Sequence, residues 1–233
     1  MCTVVIGVRG GVVEIAANRD EMASRPWQAP GQYWPGIVGG RDGLAGGTWA
    51  ALNRFGVFAG VLNREGTLGP APGKCSRGEL PLLALAHDSA EAAMAAVAAL
   101  DASAYRPFNM VIADAGGAFF VRGLGQGRPQ AARLHEGVHM VTAGEADDRG
   151  LERIARHLPR FEATPPAGWA ALLADRGGPR AGQINIAPGE NGGFGTVSAL
   201  RVTLAPEGAR LSFAPGAPDQ VAFGAVALPW NDI

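Results

Sequence analysis

The start of the chain alternates short apolar runs with glycine-rich turns. Residues 3–8 form a β-branched run, Gly10-Gly11 is a two-residue turn of the kind that needs positive φ, and residues 12–17 form a second apolar run. Short apolar runs at residues 48–52 and 57–62 follow further glycine pairs. This pattern predicts a β-hairpin at the N-terminus and antiparallel sheet after it.

The pattern changes to a helical one at about Ser76. Ser76 and Glu79 have the spacing of a capping box, and Asp88 or Ser89 can cap a second, alanine-rich helix that continues to Leu100. Leu151, Ile154, Ala155 and Leu158 share one helical face, so helices are predicted at 147–157 and 165–176, with strands at 108–113, 118–122 and 138–142 and two or three more at 197–228. Since βαβ alternation is missing, the order predicts an α+β fold in which helix layers cover two antiparallel sheets.

Composition narrows the class of protein. A chain of 233 residues with 47% hydrophobic residues fits one domain, 1–233, and a net charge of -1 argues against a nucleic-acid partner. The longest apolar stretch, residues 80–100, is interrupted by His87, Asp88 and Glu91, so we expect no membrane span. Two distant cysteines and the lack of a signal-peptide pattern lead us to expect a cytoplasmic location.

Cys2 follows Met1 directly, a start from which methionine removal leaves an N-terminal cysteine. The thiol would be a nucleophile, and the freed α-amino group, with an ordinary pKa of about 8, would be its base. A two-residue turn pairs Arg9 with Val12 and therefore sets Cys2 opposite Arg19, where the cation would favour a thiolate.

Two alternatives stay open at this point. One additional residue in the turn would place Asp20 opposite Cys2 and would send every side chain to the other face. Cys2 could also be a small buried strand residue, with the charged segment Asn18-Arg19-Asp20-Glu21 capping the hairpin.

Several motifs resemble those of one family. The chain has Asn18-Arg19-Asp20-Glu21, Ser24-Arg25-Pro26, Gly46-Gly47-Thr48-Trp49, Ser76-Arg77-Gly78-Glu79-Leu80 and Phe108-Asn109-Met110-Val111-Ile112-Ala113-Asp114. Together they resemble the NRDE family, the relatives of the transport-and-Golgi-organisation protein. The Met-Cys-Thr start also resembles the more distant cysteine N-terminal-nucleophile (Ntn) hydrolases, the bile-salt and penicillin V amidases, which implies a four-layer αββα sandwich.

The resemblance implies a site and two possible functions. The site is Cys2, Arg19, Asp20 and Asn63, with Asn63 as oxyanion donor at the end of a strand. The first function is cofactor-free hydrolysis of a small amide or acyl substrate after Met1 removal. The alternative is a non-catalytic carrier of haem or lipid, in which an exposed histidine or Cys2 could be an axial ligand of haem.

Three positions depart from the amidase pattern. Arg19 and Asp20 are adjacent, whereas the amidases separate their arginine and aspartate by two residues. A second asparagine expected after residues 138–142 is Ala143, and a late arginine expected at residues 195–198 is missing unless Arg201 replaces it.

Other features of the sequence give weaker indications of function. His135 and His139 have H-x-x-x-H spacing but flank a turn and a strand, so we expect no metal site. Residues 189–195 form either a gate over a cavity or a plain surface loop, Cys75 lies in a loop as an incidental thiol, and Trp27, Tyr33 and Trp34 lie in an early loop.

Overall fold

The computed structural model describes residues 2–188 and 193–230, so Met1 and residues 189–192 of the predicted gate lie outside the described residues. Within these ranges there are thirteen strands and four α helices. The strands are β1 (Thr3–Arg9), β2 (Val12–Met22), β3 (Trp27–Trp34), β4 (Ile37–Asp42), β5 (Ala50–Asn53), β6 (Phe58–Asn63), β7 (Phe108–Asp114), β8 (Gly117–Gly123), β9 (Gln130–Leu134), β10 (Gly137–Val141), β11 (Phe194–Ala205), β12 (Gly208–Ala214) and β13 (Gly224–Val226). The helices are α1 (Glu79–Ala84), α2 (Ala90–Ala98), α3 (Glu152–Glu162) and α4 (Trp169–Leu173).

The strands form two antiparallel sheets in a four-layer αββα sandwich, as predicted. The first sheet has the order β10-β1-β2-β11-β12-β13, and the second runs from β3 to β9 in chain order. One apolar cluster fills the space between the sheets, a second packs α1 and α2 on the second sheet, and a third packs α3 and α4 on the first. No helix in the described ranges is long and apolar enough to cross a membrane.

The N-terminal hairpin has the predicted register. Gly10 and Gly11 have φ of 55° and 77°, and the turn pairs Arg9 with Val12 and Thr3 with Asn18. Cys2 is therefore the next position, beside Arg19. β2 continues to Met22, beyond the predicted end at residue 17, because its last half pairs with β11 and is buried.

The remaining strand predictions were incomplete. Trp27, Tyr33 and Trp34, predicted in a loop, lie on β3, and neither β4 nor β9 was predicted. β4 contains Gly39-Gly40, and most of β9 is exposed, so neither has an apolar pattern. Gly40 is needed because a Cβ there would lie 2.1 Å from the Trp49 ring.

Of the side-chain caps predicted for the first two helices, the one at α2 is present and the one at α1 is not. Ser89 caps α2 as predicted, since its hydroxyl accepts from the Ala92 N–H at 3.3 Å. The predicted capping box is wrong, because Ser76 Oγ accepts from the Gly78 N–H and α1 starts at Glu79 without a side-chain cap.

The third helix begins five residues later than predicted. Asp147 has a positive φ of 59°, and its carboxylate accepts from the Met140 N–H, so residue 147 belongs to a turn beside β10. Within α3, Ala155 is exposed, contrary to the predicted apolar face, whereas Arg153 and His157 are buried.

Candidate active site

The four predicted site residues Cys2, Arg19, Asp20 and Asn63 all line one cavity of about 580 Å³. Cys2 and the end of β2 form one side, and the end of β6 with the loops at 44–49 and 68–78 forms most of the rest. Arg25, Asp42 and Arg106 complete the wall. The hairpin register and the neighbouring sheet therefore bring together residues separated by up to 61 positions in sequence.

Cys2 is half-buried and is held by the backbone of β2. Its Sγ accepts from the Asp20 N–H at 3.4 Å and donates to the Asp20 carbonyl oxygen at 3.6 Å. Burial raises the pKa of the Cys2 thiol, the negative charge of Asp20 raises it further, and Arg19 opposes both effects with less weight. The net shift of the pKa is upward, so the thiol form is favoured at neutral pH, although Arg19 acts in the predicted direction and favours the thiolate.

Strand alternation sends Arg19 and Asp20 to opposite faces of the first sheet. The Arg19 guanidinium faces the second sheet and stacks 4.2 Å from the centroid of the Trp49 ring. Its Nη2 atom lies 3.6 Å from Asp42 Oδ2 and 3.9 Å from Glu21 Oε2, too far for hydrogen bonds. Burial lowers the pKa of Arg19 from its ordinary value, while the charges of Cys2, Glu21 and Asp42 raise it.

Asp42 is already paired with another cation. Arg25 donates to both its oxygens, at 2.6 and 3.0 Å, and the N–H groups of Leu44 and Ala45 donate to Oδ1. Burial alone would raise the pKa of Asp42, but these hydrogen bonds hold it below its ordinary value. Asp42 therefore stays an anion that attracts Arg19 without fixing its position.

Asp20 is buried on the helix side of the sheet. Its Oδ1 accepts from Thr196 Oγ1 at 2.7 Å, and its Oδ2 accepts from Arg153 Nη1 at 3.2 Å. Arg153 also donates to Thr3 Oγ1 at 3.0 Å. Arg201, the candidate replacement for an arginine at 195–198, faces the helix layer and donates to the Pro166 carbonyl.

Sequence reasoning missed Arg153, and only a weak signal could have revealed it. The residue lies directly before Ile154, on the face of α3 that also buries Leu158 and Phe161. An arginine on an apolar helix face needs a buried anion. That anion, Asp20, is 133 positions away.

Asn63 ends β6, and its neighbours fix the strand there. Arg64 donates to Asn109 Oδ1 at 2.7 Å and pairs with Glu145 at 2.8 Å. Ala143 is buried and provides only its carbonyl oxygen, which accepts from the Glu65 N–H. The departure at Ala143 therefore leaves Asn63 as the asparagine side chain that lines the cavity among the described residues.

Two of the family-like motifs meet in the cavity wall. A Cβ on Gly47 would lie 2.5 Å from the Gly78 backbone, and the Thr48 N–H donates to the Gly78 carbonyl at 3.0 Å. Arg77 binds the backbone carbonyls of Thr67 and Pro107, and burial together with the Arg106 charge lowers its pKa to about 10. The close approach of the loops at 44–49 and 68–78 therefore requires glycine at position 47.

No histidine lines this cavity within the described part of the chain. Both ring nitrogens of His139 are engaged, Nδ1 with Asp147 at 2.6 Å and Nε2 with the His135 carbonyl at 3.0 Å. His157 is buried against the Gly182 carbonyl. Among residues 2–188 and 193–230, no group of three or more potential metal ligands lies together. Cys75, predicted as an incidental loop thiol, is exposed and lines the same cavity as Cys2.

Solved structures show which fold this is. The N-acylethanolamine-hydrolyzing acid amidase ortholog of Caenorhabditis elegans superposes with a TM-score of 0.61 at 10% identity, covering 86% of this chain and 92% of that chain. Penicillin V acylase from Agrobacterium tumefaciens gives 0.56 at 13% identity, covering 92% and 83%. A variant of conjugated bile acid hydrolase from Clostridium perfringens gives 0.55 at 10% identity, covering 97% and 96%. At these identities the likeness shows the fold alone.

Sequence comparison shows the family. The family model for Transport and Golgi organisation 2 matches residues 1–164, more than half of the chain. Comparison with curated proteins gives no match. The resemblance inferred from the motifs is thus confirmed, and the chain belongs to the Transport and Golgi organisation 2 family and has the fold of the Ntn hydrolases.

Proposed function

We propose that the protein is a cysteine hydrolase of the Ntn type that cleaves a small amide or acyl bond, with Cys2 as the nucleophile after removal of Met1. One observation carries the proposal: Cys2 lines a cavity of about 580 Å³ together with Arg19, Asp20 and Asn63. The three structural relatives are an amidase, an acylase and a hydrolase, which supports the same reaction type.

The raised thiol pKa makes a local base necessary. The α-amino group of Cys2 takes the thiol proton as Sγ attacks the carbonyl carbon. The Asp20 carboxylate, whose negative charge raises the pKa of Cys2, stabilises the resulting ammonium. The Asn63 amide and a backbone N–H receive the oxyanion. A donor of this kind contributes about 3 kcal/mol to lowering the barrier.

The second half of the reaction releases the acyl group. As the tetrahedral intermediate collapses, the bond between the carbonyl carbon and the leaving nitrogen or oxygen breaks, and the ammonium returns its proton to that atom. Water then attacks the thioester, the C–S bond breaks, and the products are a carboxylic acid and the free thiol.

The charge of the cavity wall favours an anionic substrate. Of the described residues, the wall contains five basic side chains and two acidic ones, whereas the Asp20 carboxylate is buried on the other face of the sheet. The basic side chains are those of Arg19, Arg25, Lys74, Arg77 and Arg106, and the acidic ones are those of Glu21 and Asp42. Arg77 and Arg106 are hydrogen-bonded to backbone carbonyls, so no carboxylate cancels their charge through these contacts. A substrate with a carboxylate or similar anion would be attracted to this wall.

The carrier function stays a prediction. A haem in the cavity would find no histidine among the described residues that line it, so its axial ligand would have to come from Cys2, Cys75 or Met22. The cytoplasmic location also stays a prediction.

The test compares two thiols in one chain. In a chain that begins with Cys2, an acylating carbonyl electrophile should label Cys2 faster than Cys75, because only Cys2 has an adjacent base. Intact-mass measurement of the purified chain shows whether Met1 is removed, and peptide mapping assigns the label. Cys2→Ala should abolish both Cys2 labelling and hydrolysis. Preferential acylation of Cys75, or hydrolysis that survives in Cys2→Ala, would contradict the proposal.

A further inference from the structure

A second, smaller void lies between the two sheets beside the nucleophile. Its volume is about 30 Å³, and its lining includes Cys2, Arg19 and Ser198. β1, β2 and β11 are adjacent strands, and Ser198 pairs with Arg19 in the register. Cys2, Arg19 and Ser198 therefore form a row across three strands on the face directed at the second sheet.

Two buried polar atoms in this row lack a partner among the described residues. They are Arg19 Nη1 and Ser198 Oγ. Arg19 is only 6% exposed and Ser198 1%, so bulk water does not satisfy them. A β-bulge at 196–198 brings Ser198 into line with Arg19, whereas the next residues of β11 are apolar and pack in the core.

We infer that the void holds a buried water molecule that bridges Arg19 Nη1 and Ser198 Oγ next to the Cys2 thiol. A void of this size exceeds the roughly 10–15 Å³ that one water needs, and buried waters occupy sites with two to four polar partners. Arg19 Nη1 donates to the water, and Ser198 Oγ can accept from it. Purely apolar voids stay dry, but these two orphan groups make the site polar.

The bridge makes Ser198 a positioning residue for Arg19. Neither carboxylate near the guanidinium is within hydrogen-bond distance, so the contacts that fix it are the Trp49 ring and the water bridge. Arg19 in turn opposes the rise in the Cys2 pKa. The catalytic meaning of this arrangement rests on the proposed hydrolase function, whereas the water site itself does not.

The first test is a crystal structure of the full chain at about 1.5 Å resolution. We expect a water peak within hydrogen-bond distance, about 3 Å, of both Arg19 Nη1 and Ser198 Oγ. A dry void, or a direct hydrogen bond between the two side chains that closes it, would overturn the inference.

The second test measures the Cys2 thiol. Ser198→Ala removes one water partner and should lower the ratio of Cys2 to Cys75 alkylation at pH 8 by about threefold, because a less firmly held Arg19 opposes the raised pKa of Cys2 less. Ser212→Ala is the matched control, because Ser212 lies on β12 opposite Arg201, away from the void. Ser198→Thr, which keeps the hydroxyl, should restore the ratio, and melting curves check that all variants fold. Equal ratios in Ser198→Ala and Ser212→Ala would overturn the positioning role.

The two proposals fail in different ways. If no amide or acyl substrate is cleaved but the water and the alkylation ratio behave as described, the hydrolase proposal is wrong and the water site stands. If hydrolysis is present and the void is dry, only the water site is wrong.

Discussion

Asp20 and Arg19 are adjacent in sequence but have different partners because a strand points successive side chains in opposite directions. Arg19 faces the inter-sheet space and Trp49, whereas Asp20 is buried against Arg153 of α3. The amidase pattern separates its arginine and aspartate by two residues. In this chain the Arg19 side chain faces the cavity, whereas Asp20 contacts Cys2 there through its backbone N–H and carbonyl.

The buried pair of Asp20 and Arg153 should be sensitive to loss of one partner. Arg153→Met removes the guanidinium partner of the buried Asp20 carboxylate and should lower the free energy of unfolding by about 3–5 kcal/mol. The matched control is Arg149→Met, because Arg149 and Glu162 form an exposed pair at the same N–O distance of 3.2 Å. Its cost should stay below about 1 kcal/mol. Urea titration measures both, and similar costs would contradict the structural role given to Arg153.

Arg19 and Glu21 should differ in their effect on turnover. Arg19→Gln removes the charge beside the thiol and should lower kcat/KM on the order of 100-fold, as removal of a preorganised electrostatic group does. Glu21→Gln should change kcat/KM little, because Glu21 is 3.9 Å from Arg19 and forms no hydrogen bond with it. Equal losses in the two variants would count against this ranking.

The sequence was sufficient to predict the site residues but not the residues that contact them and hold them in position. Cys2 and Arg19 could be paired because a Gly-Gly turn dictates the register of a hairpin. Arg153, Trp49 and Ser198 could not be found, because their contacts are set by packing between layers. The sign of the Cys2 pKa shift was also missed, since desolvation depends on burial that sequence spacing does not give.

At the scale of elements, predictions held where local chemistry decides the structure. Gly10-Gly11 and Ser89 each specify a turn or a cap by themselves. β3, β4 and β9 form because a neighbouring strand provides hydrogen bonds, and their own sequences lack alternation. Edge strands such as β3 and β9 are therefore the part of this sheet that sequence patterns describe least well.

The turn after β10 should make stability depend on pH. The hydrogen bond that the His139 ring donates to the Asp147 carboxylate raises the pKa of His139 above its ordinary value of 6.5. Burial opposes this shift, and the His135 carbonyl and the charge of Glu162 add to it. Because the folded pKa is the higher one, the stabilisation is complete below the unfolded pKa and is lost as pH rises through the folded pKa.

His139→Gln should therefore be more destabilising at pH 5.5 than at pH 9, measured by urea titration of both chains. Burial lowers the pKa of His157, so His157 destabilises the folded protein as pH falls below 6.5. Both chains contain His157, and its effect therefore cancels in the difference between them. A difference between the two chains that is constant from pH 5.5 to 9 would show that His139 does not titrate in this window.

At the scale of the whole molecule, the sandwich places the start of β1 at the mouth of the cavity. β1 is an inner strand of the first sheet, between β10 and β2, so its start is fixed on both sides. The cavity needs residues from both sheets, since Arg19 comes from the first and Asn63 from the second. The fold therefore places the first residues of the chain where loops of the second sheet can enclose a substrate.

The proposed reaction depends on whether a peptide bond joins Cys2 to a preceding residue. A residue in front of Cys2 converts its α-amino group into an amide, which has no basicity, and the thiol with its raised pKa loses its proton acceptor. Two chains made by tag cleavage test this: one begins with Cys2, and the other has a single glycine before it. The extended chain should hydrolyse at least about 100-fold more slowly, the lower end of what general-base catalysis contributes, with the same melting temperature. A carrier would bind its ligand equally in both chains, and undiminished hydrolysis by the extended chain would exclude an N-terminal nucleophile.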